Sequence, residues 1–337
     1  MISEVSLRAC LRREWGLADA TTEVHDGGMN SATWFVSEGP ARWVAKAVVP
    51  ASRRSFAGGL AVAAAVDAAG IPAGAPEATR RGECLTDVDG IPLALLRWVP
   101  GAPLAGVDPG EQRLIGSTLA RVHEALAGVP VADAQTFHWV DPAGEHLALR
   151  PWIRSAVAGA VARYDELGPL SWGLLHTDPA PEAFLLDRVT GACGLIDWGV
   201  AMAGPLLYDL ASAVMYVGGP DRATSLVDAY LAHGTMPSAE VDHGLATMLT
   251  FRWAVQADYF ARRIAAADLT GIASTADNER GLEHARRGAQ PRDGPTFAAS
   301  QSLSGRDARR TSAVFFFAAA VPSQAATGQL FHATSPL

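Results

Sequence analysis

The sequence predicts an α+β protein of two lobes, a small antiparallel-sheet N-terminal lobe followed by a larger, mainly helical C-terminal lobe. Three observations carry this expectation. Segments rich in Val, Trp, Phe and Leu with turn signals between them fall before residue 100, helical periodicity takes over from about residue 110, and a Pro/Gly connector lies between the two near 98–106. The expected divisions are 1–97, 98–287 and a terminal stretch, 288–337, rich in Ser, Ala, Gly and Pro and read as a flexible tail.

Taken in order, residues 2–16 read as a short amphipathic helix. "ATWFVS" and "RWVAKAVV" read as two strands joined by the turn "EGPA". An alanine-rich helix over 56–70 stops at Gly70, with Pro72 just beyond. "GIPLALLRWV" (90–99) is a buried strand broken by "PGAP". In "EQRLIGSTLARVHEALAG", Leu114, Leu119, Val122 and Leu126 mark roughly one helical face. Further helices are expected at 150–167, 205–216, 220–233 and 240–267. The apolar run 313–321 is too short to span a bilayer.

The bulk numbers narrow the classes. With 337 residues, 49% of them hydrophobic, the chain is long enough for a large core and too apolar for disorder. A formal charge of −8 argues against a general nucleic-acid binder. Cys10, Cys84 and Cys193 show no metal-type spacing and fit reduced thiols in a cytoplasm. No signal peptide is visible in "MISEVSLRACLRREWGL", and no membrane partner is expected. The oligomeric state is not legible.

The chemistry concentrates in 176–216. "AFLLD" and "ACGLID" read as strands of a hairpin around "RVTG", with Asp178 before the hairpin and Asp197 at its end. A hairpin brings its ends together, so the two carboxylates should lie close. Such a pair suits a divalent cation, or one base and one metal ligand. In the N-terminal half, "DGGMNSATWF" puts Gly27, Gly28, Asn30 and Ser31 in a turn between strands, where backbone N–H groups can approach phosphate oxygens, and Lys46 follows on the next strand.

These residues resemble the aminoglycoside-phosphotransferase-type kinases, a superfamily that includes choline kinases and a homoserine-kinase branch. The family carries H-G-D-x-x-x-x-N, a hairpin, I-D-W/F, then D-P-x-x-D-L-A. The chain offers His176-Thr177-Asp178, then Ile196-Asp197-Trp198, then Tyr208-Asp209-Leu210-Ala211. The resemblance covers roughly 15–287 and implies a bilobal protein-kinase-like fold using ATP and Mg²⁺ on a small-molecule hydroxyl acceptor. It implies Asp178 as catalytic base, Asp197 as Mg²⁺ ligand, His176 as a brace for the loop and Asp209 as its structural support. Lys46 takes the place of the family's phosphate-binding strand lysine. "LLRWVPGAPL" resembles the hinge, where backbone groups of Arg97 and Val99 would meet the adenine edge. His123 is expected as a packed core histidine.

The chain departs from the family at three places. Ala183 stands where the metal-binding Asn is expected, with Glu182 beside it as a substitute carboxylate, and Pro179 and Pro181 stiffen the loop. Thr177 replaces the glycine of H-G-D. No acidic residue lies between Glu38 and Asp67, so Lys46 lacks the usual helix glutamate. For the acceptor, Trp253, Gln256, Asp258 and Tyr259 are candidates, and Arg252, Arg262 and Arg263 would suit an anionic substrate. Two functions follow: an ATP-dependent phosphotransferase, or a catalytically impaired kinase-like protein that binds nucleotide or ligand. The first is preferred because Asp178, Asp197 and Lys46 are all present. A metal-dependent hydrolase would need more His or carboxylate ligands.

Overall fold

Ser3 starts the chain's first helix, its hydroxyl accepting from the Ser6 N–H to cap α1 (Glu4–Cys10). A π-helical turn, Leu11–Trp15, continues α1 and ends at Gly16 in the left-handed region. The computed structural model describes residues 2–25, 31–131, 134–138, 140–272 and 274–289. Gly27, Gly28, Asn30 and nearly all of the expected tail lie outside the described residues.

The N-terminal lobe is one antiparallel sheet of β1 (Thr21–His25), β2 (Ser31–Glu38), β3 (Ala41–Val48), β4 (Thr86–Val88) and β5 (Ile91–Arg97), in the order β1-β2-β3-β5-β4, with α2 (Arg53–Ala68) between β3 and β4. The central strands β3 and β5 carry the expected apolar patterns. The edge strand β1 was implied only as the strand before the Gly27–Asn30 stretch, and β4 was not anticipated; TTEVH is largely exposed, and β4 has only three residues. Leu7, Leu11, Trp34, Val36, Leu93 and Leu95 form a core under α1, while Phe56, Leu60, Val48 and Ala94 form a second.

The helical lobe begins after β6 (Ala102–Pro103). It contains α3 (Pro109–Ala125), β7 (Gln135–Thr136), α4 (Pro151–Asp165), β8 (Trp172–Leu175), β9 (Phe184–Leu186), β10 (Cys193–Leu195), β11 (Met202–Pro205), α5 (Leu206–Tyr216), α6 (Thr224–Leu231), α7 (Ser238–Ala265) and α8 (Thr275–Ala289). β9 and β10 form the expected antiparallel hairpin, with β6 along its other side. α5 is buried along nearly its whole length, packed against α7 and β8. The main core also takes Val62, Ala63 and Val66 of α2, so that helix belongs to both lobes. No described helix is long and apolar enough to cross a membrane.

α8 escaped sequence reading. Its inward positions, Asn278, Gly281, Leu282 and Ala285, have helical spacing but little hydrophobic signal. The glycines serve contact instead: a Cβ on Gly281 would meet the Phe260 ring, and one on Gly288 the Trp253 ring, each within 2.2 Å. The helix therefore runs through Gly288 and Ala289, past the expected start of the tail.

Candidate active site

The loop between β8 and β9 carries Asp178, and its shape is set by one buried carboxylate. Asp209, in the first turn of α5, is fully buried and accepts hydrogen bonds from the backbone N–H groups of His176 and Thr177, both at 2.7 Å. His123 touches the same carboxylate at 3.0 Å and the Tyr230 hydroxyl at 2.7 Å, which fixes its place in the core. Charge-assisted bonds of this kind are about twice as strong as neutral ones, so Asp209 dictates the loop's backbone path. That path forces Thr177 to φ +74°, a region costly for a β-branched residue, where glycine would be free. The Thr177 hydroxyl compensates in part by donating to the Val200 carbonyl at 3.1 Å.

His176 ties the loop to the end of the hairpin. Its Nε2 lies 2.8 Å from the Ile196 carbonyl and its Nδ1 accepts from the Asp178 N–H at 3.3 Å. Burial pushes this imidazole toward its neutral form, which the Nδ1 contact requires. Its ring also packs edge-on against Trp198. One side chain thus spans from the residue before Asp197 to Asp178 itself. Asp197, like Thr177, adopts φ +74°.

Between the lobes lies a cavity of about 480 Å³. Ser31, Lys46, Arg97, Val99, Glu182 and Asp197 all line it, together with an apolar wall that includes Phe35, Phe56, Leu60 and Trp98. Lys46 Nζ is hydrogen-bonded directly to Asp197 Oδ1. Burial opposes ionisation of Asp197, but the charge and hydrogen bond of Lys46 outweigh it and hold the carboxyl below its usual range. The missing helix glutamate has a steric counterpart. α2 presents Phe56, Leu60 and Ala63 to the cavity, and a Cβ on Gly59 would lie 1.9 Å from the Trp198 carbonyl oxygen. The helix rests on the backbone just after Asp197, and Lys46 takes Asp197 as its partner. Asp67, at the far end of α2, is bonded to Arg97 at 2.8 Å.

At the hinge, the Arg97 N–H is already committed to the Ala75 carbonyl at 2.9 Å. The Val99 N–H donates to no backbone acceptor among the described residues. The methyl of Ala183 is buried, and its carbonyl accepts from the Ile196 N–H at 2.9 Å, so this position pins the loop to the hairpin. Glu182 lines the cavity, burial pushes its carboxyl up, and its Oε1 is buried with no hydrogen-bond partner among the described residues.

Asp178 faces the helical lobe. Its Oδ1 accepts from the Tyr216 hydroxyl, at the end of α5, and from Arg252 Nη2 of α7 at 3.0 Å. Burial pushes its carboxyl up to about 7, against the pull of Arg252 and Tyr216 and with a further push from the charges of Asp197 and Glu182. Sequence reading missed Tyr216 and gave Arg252 to a substrate anion. Arg252 is instead buried and bonded to Asp178, Ser212 and Tyr216. Arg262 is bonded to Asp258, and Arg263 to Asn278 and Asp268.

The expected acceptor residues separate. Trp253 borders a second cavity of about 480 Å³, between α4, α5, α7 and α8. The other three do not line it, a correction with a packing cause: α7 is flanked by α4, α5 and α8, so most of its faces are core. Asp258 is buried against His146 at 2.6 Å, Tyr259 packs on Phe260 and Arg263, and Gln256 is buried with both amide atoms unpartnered among the described residues.

The residues fit a nucleotide-borne Mg²⁺. Among the described residues, no three His, Cys, Asp or Glu side chains converge as an all-protein metal cage. Mg²⁺ on a nucleotide needs less, one or two carboxylates beside the phosphates. Asp197 and the orphaned Glu182 on one cavity wall match that need.

Comparison with known proteins agrees. The model of the phosphotransferase enzyme family matches residues 21–242. A homoserine kinase of Methylobacillus glycogenes is 26% identical over 235 residues, 64% of this chain and 71% of that protein. Homoserine kinases of Phenylobacterium zucineum and Xanthobacter autotrophicus match over 47% of their length. Among solved structures, a microcompartment-associated aminopropanol kinase superposes with TM-score 0.64 at 16% identity, covering 85% of this chain and 95% of that one. The amicoumacin kinase hAmiN, in complex with AMP-PNP, Ca²⁺ and its ligand, gives 0.62 at 15%, over 78% and 86%. These likenesses show the bilobal kinase-like fold, and nothing in them supports the non-catalytic alternative. The chain belongs to the phosphotransferase enzyme family, as a small-molecule kinase with a hydroxyl acceptor.

Proposed function

We propose that the protein transfers the γ-phosphoryl group of ATP to the hydroxyl of a small amino-bearing alcohol, with homoserine the first candidate. The observation that carries the reading is the pairing of Lys46 with Asp197 on the wall of the interlobe cavity, joined through His176 to Asp178. A cation and a carboxylate placed together suit a phosphate chain that arrives with its own metal. The names of the homoserine kinase relatives favour the acceptor class.

In this reading Lys46 exchanges Asp197 for phosphate oxygens, and Asp197 with Glu182 would hold Mg²⁺. When bound, that ion neutralises charge developing on the phosphate oxygens. The backbone carbonyl of Arg97 and the N–H of Val99 receive the base. Ser31, on the cavity lining, meets the phosphates, a task the sequence also gives to Gly27, Gly28 and Asn30. Asp178 orients the acceptor hydroxyl and takes its proton while the acceptor oxygen bonds to the γ-phosphorus. The bond from that phosphorus to the β–γ bridging oxygen breaks, and ADP leaves. Most of the catalysis is positioning and electrostatics.

The test is thermal shift with ATP, with and without Mg²⁺, followed by ADP release with L-homoserine, aminopropanol and ethanolamine. Mg²⁺-dependent stabilisation and turnover of one acceptor are expected. No shift at millimolar Mg·ATP would remove the reading.

A further inference from the structure

The environment of Asp178 is more elaborate than a base requires. Every side-chain hydrogen bond to its carboxylate among the described residues reaches Oδ1, from the Tyr216 hydroxyl and from Arg252 Nη2 at 3.0 Å. Oδ2 has no such partner. The guanidinium cannot turn away: Nε donates to Ser212 Oγ at 3.1 Å, and that hydroxyl donates to the Tyr208 carbonyl at 2.9 Å. Nη2 also lies 3.1 Å from the Tyr216 oxygen, so the two donors brace each other. Arg252 is 4% exposed and Asp178 10%, so the pair is held away from water where its charges act strongly. The planar fork of arginine, fixed at Nε and aimed by Nη2, suits the orienting of one oxygen in a way a lysine cannot copy fully.

We propose that Arg252 and Tyr216 are positioning residues for Asp178, clamping Oδ1 so that Oδ2 is the atom offered to the acceptor hydroxyl. The inference rests on the phosphotransferase reading above and adds to it two residues of α7 and α5 that lie outside the motif of the catalytic loop. The clamp does two things. It fixes the carboxylate rotamer before the acceptor arrives, so the proton-accepting lone pair is already placed. It also supplies a compensating positive charge in a site whose other near charges, Asp197 and Glu182, are negative. The Nε and Nη2 atoms of Arg252 and the Tyr216 hydroxyl are engaged inside the protein, so these atoms serve Asp178 rather than the acceptor.

The test uses full-length Arg252→Met, Arg252→Lys and Tyr216→Phe. The probe is Mg·ATP with whichever of L-homoserine, aminopropanol or ethanolamine the wild type phosphorylates. Expected for Arg252→Met is a fall in kcat on the order of 10²-fold with the KM for ATP changed by less than about 2-fold. Arg252→Lys should recover about 10-fold of that, because it restores the charge without the fork. Should Arg252→Met fail to fold, Tyr216→Phe removes one donor at nearly constant volume and should lower kcat by about 10-fold. Crystal structures of the variants give a readout independent of turnover: Asp178 should rotate in Arg252→Met and stay in place in Arg252→Lys. Wild-type kcat in both Arg252→Met and Tyr216→Phe overturns the proposal, as does an unmoved Asp178 in Arg252→Met. If the wild type turns over none of the three acceptors, the phosphotransferase reading fails on its own, and the position of Asp178 in the crystals alone decides the clamp.

Discussion

Two carboxylates, one on each side of the hairpin, illustrate how one residue type is given opposite properties. Asp197 borders the interlobe cavity, is about a quarter exposed, and touches Lys46, which holds its carboxyl below the usual range. Asp178 faces the helical lobe, where burial dominates and its carboxyl rises to about 7 despite Arg252 and Tyr216. Burial opposes charge at both positions, and the difference lies in the neighbours. Asp197 has its cation at hand. Asp178 has a shared cation and two nearby negative charges. Environments that separate two like groups in this way assign them different tasks, one to hold positive charge and one to exchange a proton.

The sharpest way to break this comparison is to cross the two substitutions. Asp178→Asn should lower kcat by about 10²–10⁴-fold while leaving the Mg·ATP-dependent thermal shift intact. Asp197→Asn should abolish the Mg²⁺ dependence of that shift. Equal losses in both measurements for both variants would erase the division of labour. A steric test reaches the nucleotide side alone: Gly59→Ala places a Cβ against the rigid Trp198 backbone and should cost about 2–3 kcal/mol in chemical denaturation, with weakened nucleotide binding.

Acidity sharpens the acceptor side. Asp178 serves as a base only when ionised, so turnover should be low at pH 5.5, rise through about 7 and level above it. The same shift has a stability consequence. A carboxyl raised above its unfolded value favours folding at low pH, and that contribution is lost as pH climbs from about 4 toward 7. A pH–rate profile flat across that window would contradict the burial of the base. The smallest effect is expected at Thr177. In Thr177→Gly, relief of the left-handed backbone is offset by loss of the bond to Val200, so stability should change by no more than about 1 kcal/mol.

Much of this site was legible because its chemistry is local in sequence. Asp178, Asp197 and Asp209 sit in one short span with a hairpin between them, and Lys46 lies on a strand with clear β pattern. The long helices announced themselves by periodicity. What stayed hidden was written in contacts between distant segments. Tyr216 lies 38 residues from Asp178 and Arg252 lies 74, so no spacing rule links them. α7 carried polar residues that read as a binding face, yet its neighbours on several sides turn Gln256, Asp258 and Tyr259 inward. α8 packs through Asn278, Gly281, Leu282 and Ala285, a face with a single large apolar side chain and so only a faint hydrophobic stripe. The edge strand β1 is held by ladder bonds rather than by buried side chains, and β4, although Thr86 and Val88 are buried, is only three residues long.

The Lys46–Asp197 pair has a thermodynamic consequence of its own. Before ligand arrives, the two charges satisfy each other. A phosphate chain alone would draw away the lysine and strand a partly buried carboxylate. A divalent ion alone would take the carboxylate and strand an ammonium. Only the two together replace both halves of the pair, so metal and nucleotide should each raise the other's affinity by the same factor. On the proposed reading, the broken ion pair acts as a coincidence detector that responds to the metal–nucleotide complex and weakly to either component.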